Sequence, residues 1–144
     1  MHGKYELLVV AFSDVGVDYV RRAQQLGARV RVLDCFDIYH RQLRETYGVQ
    51  NLLTTEGNRV AVREAVAREG LDVAIVHADV DLVRTALVVQ SLCQAGVPEV
   101  LVVTDNRAHR RMFRRLGAHQ VIVASGMEAA WAQLYRYLPK HMPA

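Results

Sequence analysis

The residues with the clearest chemical potential stand where short apolar runs end. After LLVV comes Ala11-Phe12-Ser13-Asp14-Val15-Gly16, a tight turn leading into a helical pattern. A glycine-rich turn in that place lets backbone N–H groups at a helix amino end receive a phosphate. Here the G-x-G-x-x-G pattern reads Ala11-x-Ser13-x-x-Gly16, so only the third glycine is present. The middle glycine of such a loop lets the backbone approach a pyrophosphate, and Ser13 puts a Cβ and a hydroxyl in the way. Asp14 sets a carboxylate where the positive end of the helix dipole would otherwise attract an anion. The Ser13-Asp14 pair also reads as a plain helix cap. Asp34 lies 18 positions after Gly16, at the end of ARVRVLD. An acid there bonds ribose hydroxyls, or is simply a cap or a solvated strand end. Cys35 beside it, Thr55, and the pair Ala78-Asp79 complete the candidate nucleotide contacts. A diphosphate is expected to bind weakly at such a loop unless Arg59 or Arg107 reaches it.

Other chemistries find less support. His77, Asp79 and Asp81 alternate after an apolar run and offer an imidazole and two carboxylates to a cation, although solvated turn residues are the better reading. Asp14, Asp34, Asp79 and Asp105 make an acidic edge, but the acid pair, phosphorylatable Asp and Lys of a phosphate-accepting receiver domain are not in place. In NRAHRRMFRRLG, Arg107, Arg110, Arg111, Arg114 and Arg115 share one helical arc. His109, Met112, Phe113 and Leu116 share the other, so His109 is expected to be a hydrogen-bonded core histidine. A solvated face is the plain reading of the arginines; with no aromatic interleaved, nucleic acid is not favoured. No nucleophile elbow, Tyr-x-x-x-Lys pair or Cys/His pair suggests catalysis, and a non-enzyme is expected.

Elements of one regular kind must position these residues. β-branched runs near 5–12, 29–34, 50–54, 72–77, 99–104 and 119–123 alternate with helical stretches near 15–26, 37–47, 58–69, 81–95, 106–116 and 126–138. Gly27, Gly48, Gly70, Gly96 and Gly117 fall just past the helix ends, as left-handed stop signals do. The fold expected is α/β: a doubly wound, parallel, six-stranded Rossmann-like sheet in three layers, strand order 3-2-1-4-5-6, forming one domain over residues 1–144. In the helix over 126–138, Met127, Trp131, Leu134, Tyr135 and Leu138 form a stripe that either covers the chain's own sheet or exchanges with a second subunit.

The chain has 144 residues, 51% of them hydrophobic, and a net charge of +3, too mild to imply nucleic acid by itself. No apolar run approaches the roughly 20 residues of a membrane span, and MHGKYELLVV lacks a signal-peptide pattern, so a cytoplasmic protein is expected. Cys35 and Cys93 lack metal or redox spacing and read as reduced thiols.

The stretch AGVPEVLVVTDNRAHRRMFRRLGAHQVIVAS, with its GVP, a strand, a helix bearing His109, then LGA and VI, resembles the nucleotide-binding N-terminal domain of RCK or Trk type found in potassium channels and potassium uptake regulators. VREAVAREGLDVAIVHAD is similar to that family's helix and fourth strand. The resemblance implies a Rossmann fold, binding of NAD, NADH or another adenine nucleotide, assembly as a homodimer or higher oligomer, and a regulatory partnership with a membrane potassium transporter. It departs from the family at Ala11 and Ser13, at Thr54-Thr55 where the family has a Gly-Asp pair, and at Val103 where it has an arginine. Two functional expectations result: a ligand-sensing regulatory subunit, or a degenerate Rossmann module that has lost dinucleotide binding and serves oligomeric interaction.

Overall fold

The computed structural model describes residues 5–78 and 80–139. Six strands, β1 (Glu6–Val10), β2 (Arg29–Asp34), β3 (Leu52–Thr54), β4 (Val73–His77), β5 (Glu99–Thr104) and β6 (Gln120–Val123), form one parallel sheet in the order β3-β2-β1-β4-β5-β6. The helices are α1 (Gly16–Gln25), α2 (Asp37–Tyr47), α3 (Arg59–Glu69), α4 (Leu82–Gln94), α5 (Arg110–Arg115) and α6 (Met127–Leu134), with single 3₁₀ turns at Val49–Asn51, Arg107–His109 and Tyr135–Tyr137. The expected α/β class, strand order and helix sequence are all present. Strand ends are shorter than the apolar runs; Ala11 and Phe12, for example, continue past β1 as loop.

A sheet with helices on both faces needs apolar side chains at odd and even positions alike, which is why its strands read as unbroken runs. Leu7, Val9 and Ala11 face α1, α2 and α6, packing with Tyr19, Ala23, Leu43, Ala130 and Leu134. Leu8, Val10 and Phe12 face α3, α4 and α5, packing with Val62, Val66, Val88, Leu92 and Phe113. Central β1 and β4 are sealed on both sides: Leu7, Leu8, Val9, Ala74, Ile75 and Val76 have no exposed surface.

The five glycines expected at helix ends all adopt positive φ. At Gly117 (φ +113°) a Cβ would also stand 2.9 Å from Cys93 Cβ, so backbone conformation and packing against α4 both demand glycine. The last helix covers its own sheet: Ala130, Leu134 and Leu138 are buried in the α1-side core, and Arg22 of α1 pairs with Glu128 and lies 5.9 Å from the Trp131 ring centroid. Tyr135, aligned with the same stripe in the sequence, does not join that core and is 40% exposed, because the chain tightens into a 3₁₀ turn there and the helical phase changes. Among the described residues no helix is long and apolar enough to cross a membrane.

Candidate functional site

In a doubly wound sheet, ligands bind at the carboxyl ends of the strands where the winding reverses. Here that point lies between β1 and β4, and the two sides of it differ.

On the β1-β2-β3 side the protein fills the space with its own aromatics. Phe12 stacks on Tyr39 of α2, ring centroids 4.6 Å apart and planes 2° from parallel, and meets Phe36 edge-on at 5.7 Å. Arg84 of α4 lies over Phe36 at 5.5 Å. The Tyr39 hydroxyl donates to Asp81 Oδ2 at 2.6 Å, and Asp81, the N-cap of α4, also accepts from the Arg84 backbone and guanidinium. The Tyr39 hydroxyl foremost, with Arg84, holds the Asp81 carboxyl below its ordinary pKa. Asp81 is therefore a helix cap and aromatic anchor rather than a solvated turn residue. The β3–α3 loop closes down as well: a Cβ on Gly57 would collide with the Cys35 carbonyl and the Phe36 ring.

Asp34 is 2% exposed, and its carboxylate is occupied. His40 Nδ1 donates to Asp34 Oδ2, Thr54 Oγ1 reaches the same oxygen at 3.5 Å, and the Asp34 carbonyl accepts from Thr55 N. The sequence reading of Asp34 offered a ribose contact or a solvated end; in this arrangement it is a satisfied buried acid. Cys35 is buried next to it, and burial, with Asp34 adding, pushes its thiol up to about 12, so it holds its proton and is unreactive.

The Ala11–Gly16 turn is braced from α2. The Tyr47 hydroxyl donates to the Ser13 carbonyl at 2.7 Å, and a Cβ on Gly16 would meet the Tyr47 hydroxyl oxygen at 2.6 Å. Burial pushes the Tyr47 hydroxyl up to about 12, against a smaller opposite pull from the Gly16 backbone. The expected helix cap is only partly there. Ser13 Oγ accepts from Val15 N at 3.3 Å, in the turn before the helix, while the N-cap position is Val15, with no side-chain cap. Asp14 is exposed and caps nothing.

On the β4-β5-β6 side the edge is open. A cavity of about 560 Å³ lies over these strand ends, with α1 and α6 as walls. Val15, Ala78, Val103, Ala124 and Met127 give it apolar surface. His77, Thr104, Asp105, Asn106, His109 and Ser125 give it polar groups. Tyr19, fully buried and held protonated by that burial, is joined to His77 Nδ1 at 2.8 Å. Asn106 N donates to Thr104 Oγ1, and Asn106 Oδ1 caps the following turn by accepting from Ala108 N. Gly126 (φ +93°) is the N-cap of α6 and has no side chain to satisfy the first-turn N–H groups, so that helix end also opens onto the cavity.

Of the residues singled out as nucleotide contacts, Val15 and Ala78 line this cavity; Ala11, Phe12, Ser13, Asp14, Gly16, Asp34, Cys35 and Thr55 do not. Asp79 lies outside the described residues, and so does the middle of the proposed His77-Asp79-Asp81 cation set. Among the described residues no group of three His, Cys, Asp or Glu side chains is placed to hold a metal. His109 is corrected from core to rim: it is half-buried, lines the cavity and bonds Asn106 at 3.4 Å, because its segment starts as a 3₁₀ turn and rotates it off the α5 apolar arc. Sequence reasoning missed Tyr19, Asn106, Ser125 and Gly126. The signal for the last three was their position just after β5 and β6, at the same edge as the loops that were weighed.

No protein-family model matches the chain, and no curated protein matches it in sequence. Solved structures do match. The NAD(P)-binding domain of an exopolyphosphatase-related protein from Archaeoglobus fulgidus is 17% identical with a TM-score of 0.60, the match covering 93% of this chain and 96% of that one. The TrkA-N domain of the inner membrane protein ybaL from Escherichia coli is 15% identical with a TM-score of 0.59, covering 95% and 98%. The GsuK channel bound to NAD is 15% identical with a TM-score of 0.58, covering 83% of this chain but 21% of that one. The chain thus has the Rossmann-like fold of NAD(P)-binding, TrkA-N and RCK domains, the group its sequence resembles.

Proposed function

We propose that this protein is a regulatory domain of the RCK and TrkA-N kind that senses a compact nucleotide in the cavity over β4, β5 and β6 and reports its occupancy to a potassium transport protein. The observation that carries this reading is the contrast at the switch point: a cavity of about 560 Å³ on one side and an aromatic filling on the other. The volume is within the range of small-molecule sites. Its apolar wall suits a base, Asp105 and Asn106 suit sugar hydroxyls, and the uncapped start of α6 suits a phosphate. A dinucleotide laid across the edge would need its second half where Phe12, Phe36 and Tyr39 pack, so a mononucleotide is the better fit. The role is regulatory rather than catalytic.

A panel of AMP, ADP, ATP, NAD and NADH tests it, by thermal shift and titration calorimetry. Ligand at about a hundredfold over its dissociation constant should add about 2.7 kcal/mol and raise the melting point by several degrees. AMP should bind at least as tightly as NAD, and Ala124→Phe should abolish binding while leaving the fold intact. NAD binding at least tenfold tighter than AMP would refute the mononucleotide assignment. The second reading, an interaction module without a nucleotide, is favoured by the filled side; it stands if no nucleotide shifts the melting point at millimolar concentration.

A further inference from the structure

The segment Arg107–Arg115 presents five arginines, Arg107, Arg110, Arg111, Arg114 and Arg115, all exposed, while Phe113 on its other side has no exposed surface. None of the five makes an ion pair among the described residues. Elsewhere Arg21, Arg22, Arg29, Arg31, Arg41 and Arg84 each find an acid, and the arginines that do not among the described residues, Arg44, Arg59, Arg63, Arg68 and Arg136, are scattered over other elements instead of gathered on one. RAHRRMFRR contains no acidic residue. With these five set aside, 13 basic residues face 15 acidic ones, so the rest of the chain has a net charge of −2 and the whole excess of positive charge sits on this one short element.

Packing does not call for this arrangement. Arg107 with Arg110 and Arg111, Arg110 with Arg114, and Arg111 with Arg114 and Arg115 stand three or four positions apart, where like charges repel along a helix. The segment is held against that repulsion by Phe113, by the Asn106 cap and by the Gly117 turn. Arg107, Arg110, Arg111 and Arg114 line an open recess of about 500 Å³ together with the small side chain of Ala108. Guanidinium groups are planar forks that bind carboxylates with two hydrogen bonds, a match an ammonium cannot make.

We propose that this recess docks an acidic segment of a partner protein, whose Asp or Glu side chains enter between the guanidiniums over Ala108. The row from Arg107 to Arg114 is roughly 10 Å long, and alternate residues of an extended chain recur every ~6.7 Å, so two carboxylates of one strand fit along it. Two features set this partner above other polyanions. The face has no aromatic among the arginines on which bases could stack. Its apolar surface is limited to Ala108, with no large side chain to enter a lipid layer. A face of five like charges is also unsuited to pairing with its own copy across a two-fold axis.

Fluorescence anisotropy with a labelled ten-residue peptide of alternating Glu and Ala tests this on the whole chain. Two triple variants with equal loss of charge are compared, Arg110→Gln/Arg111→Gln/Arg114→Gln and, at scattered exposed sites, Arg44→Gln/Arg68→Gln/Arg136→Gln. Melting by circular dichroism confirms that both are folded. The recess variant should lose at least about tenfold in affinity and the scattered one less than about twofold, with binding weakening between about 50 mM and about 300 mM salt. Equal losses in the two variants would mean net charge alone drives binding and would overturn the proposal. So would tighter binding of oligo-dT, or of vesicles containing phosphatidylserine, than of the peptide. Failure of the nucleotide panel would leave this result untouched, since no residue that lines the recess also lines the cavity.

Discussion

The carboxyl edge of the sheet has two halves with the same backbone plan and opposite contents. Over β1 and β2 the turn after each strand brings in an aromatic, Phe12 and Phe36, and α2 adds Tyr39, stacked on Phe12. Over β5 and β6 the strand end Thr104 and the turns with Asn106, Ala124, Ser125 and Gly126 bring in small or polar groups, and a cavity remains. The fold supplies the location in both cases, and side-chain volume decides whether a cavity is left there. At the Ala11–Gly16 turn, Ser13 and Asp14 stay near the surface, while Phe12, which stands between two of the glycine positions, turns inward and packs its ring against Phe36 and Tyr39.

The largest effect that would test this contrast is on stability. Phe12→Ala should cost about 3–4 kcal/mol in urea unfolding, since it removes a ring packed against two others, whereas His109→Ala on the open side should cost less than about 1 kcal/mol. Similar costs for both would remove the distinction between a filled half and an empty one. Next in size is Asp34→Asn, expected to cost about 1–3 kcal/mol by weakening a buried, hydrogen-bonded acid. It should leave nucleotide affinity unchanged; a tenfold loss of affinity with no loss of stability would restore Asp34 as a ribose ligand. The smallest effect concerns Tyr47. Its folded pKa, about 12, exceeds the ordinary 10.0, so the unfolded chain gives up the proton first. Stability should therefore fall as pH rises from 10.0 towards about 12. Tyr47→Phe should flatten part of that slope; an unchanged alkaline profile would mean the hydroxyl is not buried against the turn.

The elements were legible because each declares itself locally. Apolar runs give strands, 3.6-residue periodicity gives helices, and glycines past the helix ends give stops; together they specify order and layers. The site was less legible because its groups meet from far apart. Asp34 reads as a free acid until the fold brings Thr54, 20 positions on, to the same oxygen that His40 takes. Phe12 and Tyr39 are 27 positions apart, and no pattern in either neighbourhood announces that they stack. His109 was misplaced for a local reason, the 3₁₀ turn, which changes the angle per residue and shifts a wheel drawn at 100°.

The winding of the sheet divides the chain as well as the space. Everything from β1 to β3 comes from residues 6–54, everything from β4 to β6 from residues 73–123, and the two lie side by side along one seam where Leu7–Val10 pairs with Val73–Val76. On the proposed function, substitutions at cavity-lining side chains of the second stretch, such as Asn106 and His109, should change what the protein responds to, whereas substitutions at buried positions of either stretch, such as Leu8 and Ile75, should change how much protein survives in the cell. Such a layout would let selection remodel the cavity lining while the core that keeps the molecule intact goes unaltered.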